Sequence, residues 1–124
     1  MPVYETSTRW PWPNFAKKEL VCKCGCGSLY IDPESMDALQ DLRTLWGKPL
    51  TITSAHRCVQ HNASVGGAKH SQHLKLAFDL AMPRTMQEEF VALAEGVGFT
   101  GIGTYPKHGF VHLDMRPYPK RWEG

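Results

Sequence analysis

The chain has 124 residues, which suits one domain, and its 42% hydrophobic and 21% charged content is ordinary globular usage, so a disordered or fibrous protein is excluded. A formal charge of +2 is too small to point to nucleic acid, and Lys17, Lys18, Lys69, Lys120 and Arg121 fall as pairs or singles without forming a basic stripe. No apolar run approaches the ~20 residues that span a bilayer, and residues 1–13 lack the basic and apolar regions of a secretion signal, so we expect a monomer made in the cytoplasm, without membrane insertion.

Residues 8–15 contain Trp10, Pro11, Trp12 and Pro13, and two prolines so close exclude a regular helix. We read residues 1–14 as an extended arm laid on the body, because two tryptophans left in water would waste a large apolar area. Asp32 and Pro33 then supply an N-cap and a first-turn proline. Met36, Leu39, Leu42 and Leu45 follow at three-residue spacing until Gly47 stops the helix, so all four are expected to face the core. A flexible loop is expected over residues 62–69, which include Gly66 and Gly67. Thr85 and Glu88 form a capping box for a second helix over residues 86–96, packed through Phe90, Leu93 and Val97. Strand-prone runs occupy residues 50–54, 77–80, 102–105 and 110–115. Strands and helices do not alternate regularly. The expected class is therefore α+β, a small, mostly antiparallel sheet with flanking helices, in a single domain spanning residues 1–124.

The histidines cluster: His56, His61, His70 and His73 fall in one window, and His108 and His112 in another. Neutral imidazole is a good zinc ligand, and catalytic zinc takes three protein ligands from His, Asp, Glu and Cys, leaving a fourth position for water. In residues 77–80, alternation puts Asp79 on the face opposite Phe78 and Leu80. A carboxylate inside an apolar strand needs a partner, whether a helix N-terminus, an arginine or a metal. In residues 110–114, His112 and Asp114 share one face while Val111 and Leu113 share the other. The pair reads either as a core histidine held by its neighbour or as a metal ligand with a supporting carboxylate. His61 and His70 read either as lining the same cleft or as loop histidines.

In order along the chain stand Thr53-Ser54-Ala55-His56-Arg57-Cys58, His61-Asn62-Ala63-Ser64-Val65-Gly66-Gly67-Ala68, Ser71-Gln72-His73 with Ala77-Phe78-Asp79, and Phe110-Val111-His112-Leu113-Asp114. This series resembles the motifs of the M15 peptidases, a family that includes zinc D-alanyl-D-alanine carboxypeptidases and phage endolysins, and the similarity runs from Phe15 to Pro117. The resemblance implies the small α+β fold shared with the hedgehog signalling domain and a Zn2+ ion held by His73, Asp79 and His112. It sets Arg57 facing the substrate, where a guanidinium fork suits a terminal carboxylate or a developing oxyanion. The general base it calls for would be His108, with Asp114 as the substitute candidate or as the group that orients a histidine. One departure stands out: the family usually spaces its first His and Asp seven apart with a glycine between, whereas six positions separate His73 from Asp79 and Leu74, Lys75 and Leu76 include no glycine.

The activity implied is hydrolysis of an amide in peptidoglycan stem or cross-link peptides by metal-activated water, as a D,D-carboxypeptidase or an endopeptidase of the endolysin kind. Such a protein would act on the wall after release, as phage or prophage lysis enzymes do. The alternative is a non-catalytic module that grips wall peptide or a partner on the same fold, which the shortened spacing would permit. Cys22, Cys24, Cys26 and Cys58 add three open readings: a structural zinc site, a Cys58 disulfide formed outside a reducing cytoplasm, or packed free thiols.

Overall fold

A computed structural model describes residues 10–27, 29–67, 71–74 and 76–124. Residues 1–9, most of the expected arm, lie outside them. Of the remainder, Trp12 and Phe15 are each 2% exposed and join the core. The Trp12 indole donates to Asp37 Oδ1 at 2.8 Å, and Trp10 donates to the Phe15 carbonyl at 2.6 Å, so each ring buries its apolar body and satisfies its N–H.

Helix α1 spans Lys17–Leu20, α2 Pro33–Trp46, α3 Val59–Ser64 and α4 Gln87–Gly96; strands β1 to β5 span Ile52–Ser54, Phe78–Ala81, Gly101–Tyr105, Phe110–Asp114 and Lys120–Glu123. The sheet runs β1-β2-β4-β3-β5, antiparallel throughout except for the parallel pairing of β5 with β3. Phe78, Leu80, Ile102, Val111 and Leu113 point to one face and pack with Met36, Leu39 and Leu42 of α2 and Phe90 and Ala94 of α4 in a shared core. Each of these side chains other than Ala94, fully buried, contributes roughly 1.5–3 kcal/mol of hydrophobic stabilisation. The opposite face carries Asp79, His112 and Asp114, as strand alternation requires.

Four local expectations change. Leu45 is 60% exposed and Trp46 takes its place in the core, because nine residues beyond Met36 is about two and a half helical turns and falls on the far side. Asp32 precedes α2 but its carboxylate accepts from Ser35 Oγ at 2.6 Å rather than from a backbone N–H; Gly47 ends the helix in the left-handed region at φ 72°. Thr85 makes no cap, since a 3-10 turn at Arg84–Met86 absorbs it and α4 begins at Gln87. Residues 62–64 belong to α3 rather than to a loop. Strand β5 and helix α1 carried no periodic signal and were not expected.

Candidate metal centre

Asp79 and His112 are directly opposite in the β2–β4 ladder, so their side chains emerge side by side, and His112 Nδ1 lies 3.0 Å from Asp79 Oδ1. His73 arrives from outside the sheet, on a 3-10 turn at Gln72–Leu74. Its backbone is fixed by Arg57 N–H donating to its carbonyl at 2.6 Å and by its own N–H donating to Ser71 Oγ at 3.1 Å. Its Nδ1 lies 2.5 Å from the Ala55 carbonyl. The carbonyl can only accept, so Nδ1 carries the proton and Nε2 is left as a lone pair. The six-residue spacing thus still delivers His73 and Asp79 to one place, and the ligand atoms of His73, Asp79 and His112 lie within 4.8 Å of one another.

The donor set fits a divalent cation. His73 Nε2 is buried, stands 3.2 Å from Asp79 Oδ2 and makes no hydrogen bond. An imidazole lone pair facing a carboxylate oxygen, with no proton between them, is an unfavourable contact that a bound cation turns into two ligand bonds. Against the cost of burial, the His112 imidazole bonded to Oδ1 holds Asp79 well below the usual carboxylate range. His112 lies between two carboxylates, with Nε2 2.7 Å from Asp114 Oδ2. Against burial, Asp114 and then Asp79 raise its pKa. Asp114 is 1% exposed and is gripped by Arg116 through Nε at 2.8 Å and Nη2 at 2.6 Å. Arg116 and His112 keep Asp114 far below the ordinary range despite its burial, so it stays charged. A charged Asp114 keeps the proton on His112 Nε2 and turns Nδ1 toward Asp79 and the centre.

The centre opens into a cleft of about 560 Å³ whose walls include Arg57, Tyr105, Phe110, Arg116, Tyr118 and Trp122. Arg57 is anchored by Nη1 donating to Asn62 Oδ1 at 2.8 Å, and its Nη2 reaches 3.9 Å from Asp79 Oδ2. Sequence reasoning missed Asn62, Arg116, Trp122, Gly101 and Gly103. The glycines are the readable signal, since they alternate on β3 opposite Asp114 and His112. A Cβ at Gly101 would strike Asp114 and Arg116, and one at Gly103 would strike the Trp122 indole, whose ring lies 5.2 Å from that of His112.

The structure brings His73, Asp79, His112, Asp114 and Arg57 together. It does not bring His108, which is exposed in the turn between β3 and β4 and does not line the cleft. His61 sits on α3, and His56 is buried and stacks on Tyr30 with ring centroids 6.1 Å apart. His70 lies outside the described residues.

Comparison with known proteins agrees with this geometry. The family model described as peptidase M15 matches residues 13–114. The peptidoglycan L,D-endopeptidase MepK of Escherichia coli K12 and that of Shigella flexneri are each 34% identical over 95 residues, 70% of this chain and 52% of theirs. The chain spans about half the length of these curated relatives. With the match covering most of its length and a three-ligand centre at the matched motifs, the chain belongs to the peptidase M15 family, whose metal is zinc.

Proposed function

We propose that this chain is a peptidoglycan peptidase: a zinc metalloenzyme that hydrolyses an amide bond in the stem or cross-link peptides of the wall, as an endopeptidase. The observation that carries the reading is the buried, unbonded His73 Nε2 facing Asp79 across 3.2 Å, with His112 Nδ1 on the other carboxylate oxygen. The family match and the relatives named as peptidoglycan L,D-endopeptidases support the substrate class. A bond between an L- and a D-residue is the first to test. The shared core of the described residues supports one working domain.

The bound metal would supply Lewis acidity, polarising the scissile carbonyl and acidifying an adjacent water. The remaining work falls to side chains. The Ala55 carbonyl holds the His73 tautomer, and Asp114 holds that of His112, so both rings present lone pairs to the centre. Asp114, bound on both oxygens, is a positioning residue in this reading rather than a base. Arg57, tethered by Asn62 at the cleft wall, meets either a substrate carboxylate or the charge that grows on the carbonyl oxygen. Tyr105, Phe110, Tyr118 and Trp122 offer flat apolar walls for small side chains of a wall peptide. His108 takes no part. Delivery to the wall, by the release expected of phage lysis enzymes, is the remaining piece of this reading.

The test is release of new amino groups from purified peptidoglycan by zinc-loaded protein, beside His112→Ala, with mass spectrometry of the products. Zinc-dependent release that vanishes in the variant, with fragments cut between an L- and a D-residue, is the expected result. Trimming of terminal D-alanine alone would reassign the chain as a carboxypeptidase. No release from several wall chemistries, with zinc bound, would make it a binding module.

A further inference from the structure

The second cluster of metal-binding side chains lies outside the cleft and shares no residue with it. Cys22, Cys24, Cys26 and Cys58 converge so that all four sulfurs lie within 4.8 Å of one another. We propose that these four cysteines form a closed, structural zinc site that pins the N-terminal segment to the wall of the catalytic centre.

The separations have the size such a site requires. Cys22 Sγ is 3.5 Å from Cys24 Sγ and 3.7 Å from Cys58 Sγ, and Cys24 Sγ is 3.7 Å from Cys58 Sγ. Four thiolates held tetrahedrally at a Zn–S distance of ~2.3 Å stand about 3.8 Å apart. A disulfide needs ~2.05 Å, and no disulfide joins any of the four.

The local backbone explains how an alternate-residue run converges. In an extended chain, residues two apart sit on one side but about 6.6 Å from each other, well beyond the ~3.8 Å that separates sulfurs on one ion. Here residues 23–26 turn, with Gly25 N–H donating to the Cys22 carbonyl at 3.5 Å. Gly25 and Gly27 take φ of 87° and 78°, the left-handed region that glycine enters without strain, and the chain curls its cysteines inward.

The fourth sulfur comes from 36 positions beyond Cys22 and is seated by backbone donors. Cys58 N–H points at Cys22 Sγ at 3.3 Å, and His61 N–H points at Cys58 Sγ at 3.3 Å. N–H groups aimed at sulfur are what a thiolate ligand needs around it. Four ligands with no open position make a structural centre, in contrast to the three-ligand set of the cleft.

The position gives the site its consequence. Cys58 directly follows Arg57, whose N–H holds the His73 carbonyl at 2.6 Å. An ion clamping Cys58 to the turn at residues 22–26 therefore fixes the segment that presents Arg57 and backs a catalytic ligand.

The experiment counts zinc in protein purified under reducing conditions and replaces it with cobalt. Two zinc per wild-type chain and one in His112→Ala are expected. In His112→Ala, cobalt should give the intense near-ultraviolet sulfur-to-metal charge-transfer band, and zinc X-ray absorption should show four sulfurs at ~2.3 Å. Cys22→Ser/Cys24→Ser should lose that zinc, keep the one in the cleft and become open to proteolysis near residues 17–27. One zinc in wild type and none in His112→Ala would overturn the proposal. So would cobalt without the thiolate band, or a Cys58 disulfide found by alkylating the protein as purified. The spectra are read with all cysteines intact, so a double variant that fails to fold does not affect them. None of the readouts depends on peptidase activity, so the site and the proposed reaction can fail separately.

Discussion

Two regions build the metal centre by different means. Asp79 and His112 ride on paired strands, where the ladder fixes their separation and the core beneath holds Phe78, Leu80, Val111 and Leu113. His73 and Arg57 stand on segments outside the sheet, held by a backbone hydrogen bond to one another and, for His73, by bonds from its ring to the Ala55 carbonyl and from its N–H to the Ser71 hydroxyl. The sheet half gets its geometry from packing, so it depends on the exact fit of side chains around it. The loop half gets it from a few polar contacts, which tolerate a change of length, as the six-residue His73 to Asp79 spacing demonstrates.

The sharpest break of this comparison is Asp114→Asn. An amide cannot accept from Arg116 Nε, Arg116 Nη2, the Arg116 backbone and His112 together, so a donor must face a donor. His112 loses its tautomer, and zinc affinity should drop about 10–100-fold, measured by competition with a chromophoric chelator. The pH dependence gives an independent check. His112 has a raised pKa without metal, so the proton competes with zinc above the ordinary imidazole value of ~6.5, and wild-type affinity should fall as pH drops from there. In Asp114→Asn that fall should begin at lower pH. Asp114 itself carries the opposite sign: its folded pKa is depressed, so its contribution is present above ~3.9 and lost as pH falls toward the folded value. Metal-free wild type should thus lose thermal stability below about pH 4 more steeply than the variant.

The same division governs what could be read from the residues alone. Strand alternation separated Asp79, His112 and Asp114 from their buried neighbours, because period two is written into any half-buried strand. His73 and Arg57 were legible only through motif resemblance, since nothing periodic marks a loop whose position depends on distant carbonyls. Trp122 and Arg116 were not legible at all: Trp122 reaches the site through the parallel addition of β5 to β3, a long-range event, and Arg116, though only two residues from Asp114, follows the end of β4 where no periodic pattern marks it. His108 was chosen by nearness in sequence to His112, but the turn at residues 106–109 carries it outside the cleft lining.

A smaller effect is expected from Gly103→Ala. The added methyl meets the Trp122 indole, which is bonded through Nε1 to Tyr105 Oη at 2.8 Å and cannot shift freely because β5 is paired to β3. Overpacking of this kind costs roughly 1–3 kcal/mol, more than the gain from replacing a strand glycine. Thermal unfolding should show the loss, and near-ultraviolet circular dichroism should show the displaced tryptophan.

The smallest effect should come from the loop half, with Ser71→Ala. The change removes the acceptor for His73 N–H at 3.1 Å, a bond worth about 0.5–1.5 kcal/mol, at a residue that is only half-buried and whose place water can take. His73 keeps the Ala55 carbonyl on its ring and the Arg57 N–H on its carbonyl, so zinc affinity should fall no more than a few-fold, roughly what a partial share of that energy allows. A loss in Ser71→Ala equal to that in Asp114→Asn would mean that the loop, and not the sheet, limits how well the centre is preorganised. The tolerance of the short spacing would then have to come from the hydrogen bonds around His73 acting as a unit, each one as necessary as the Asp114 clamp.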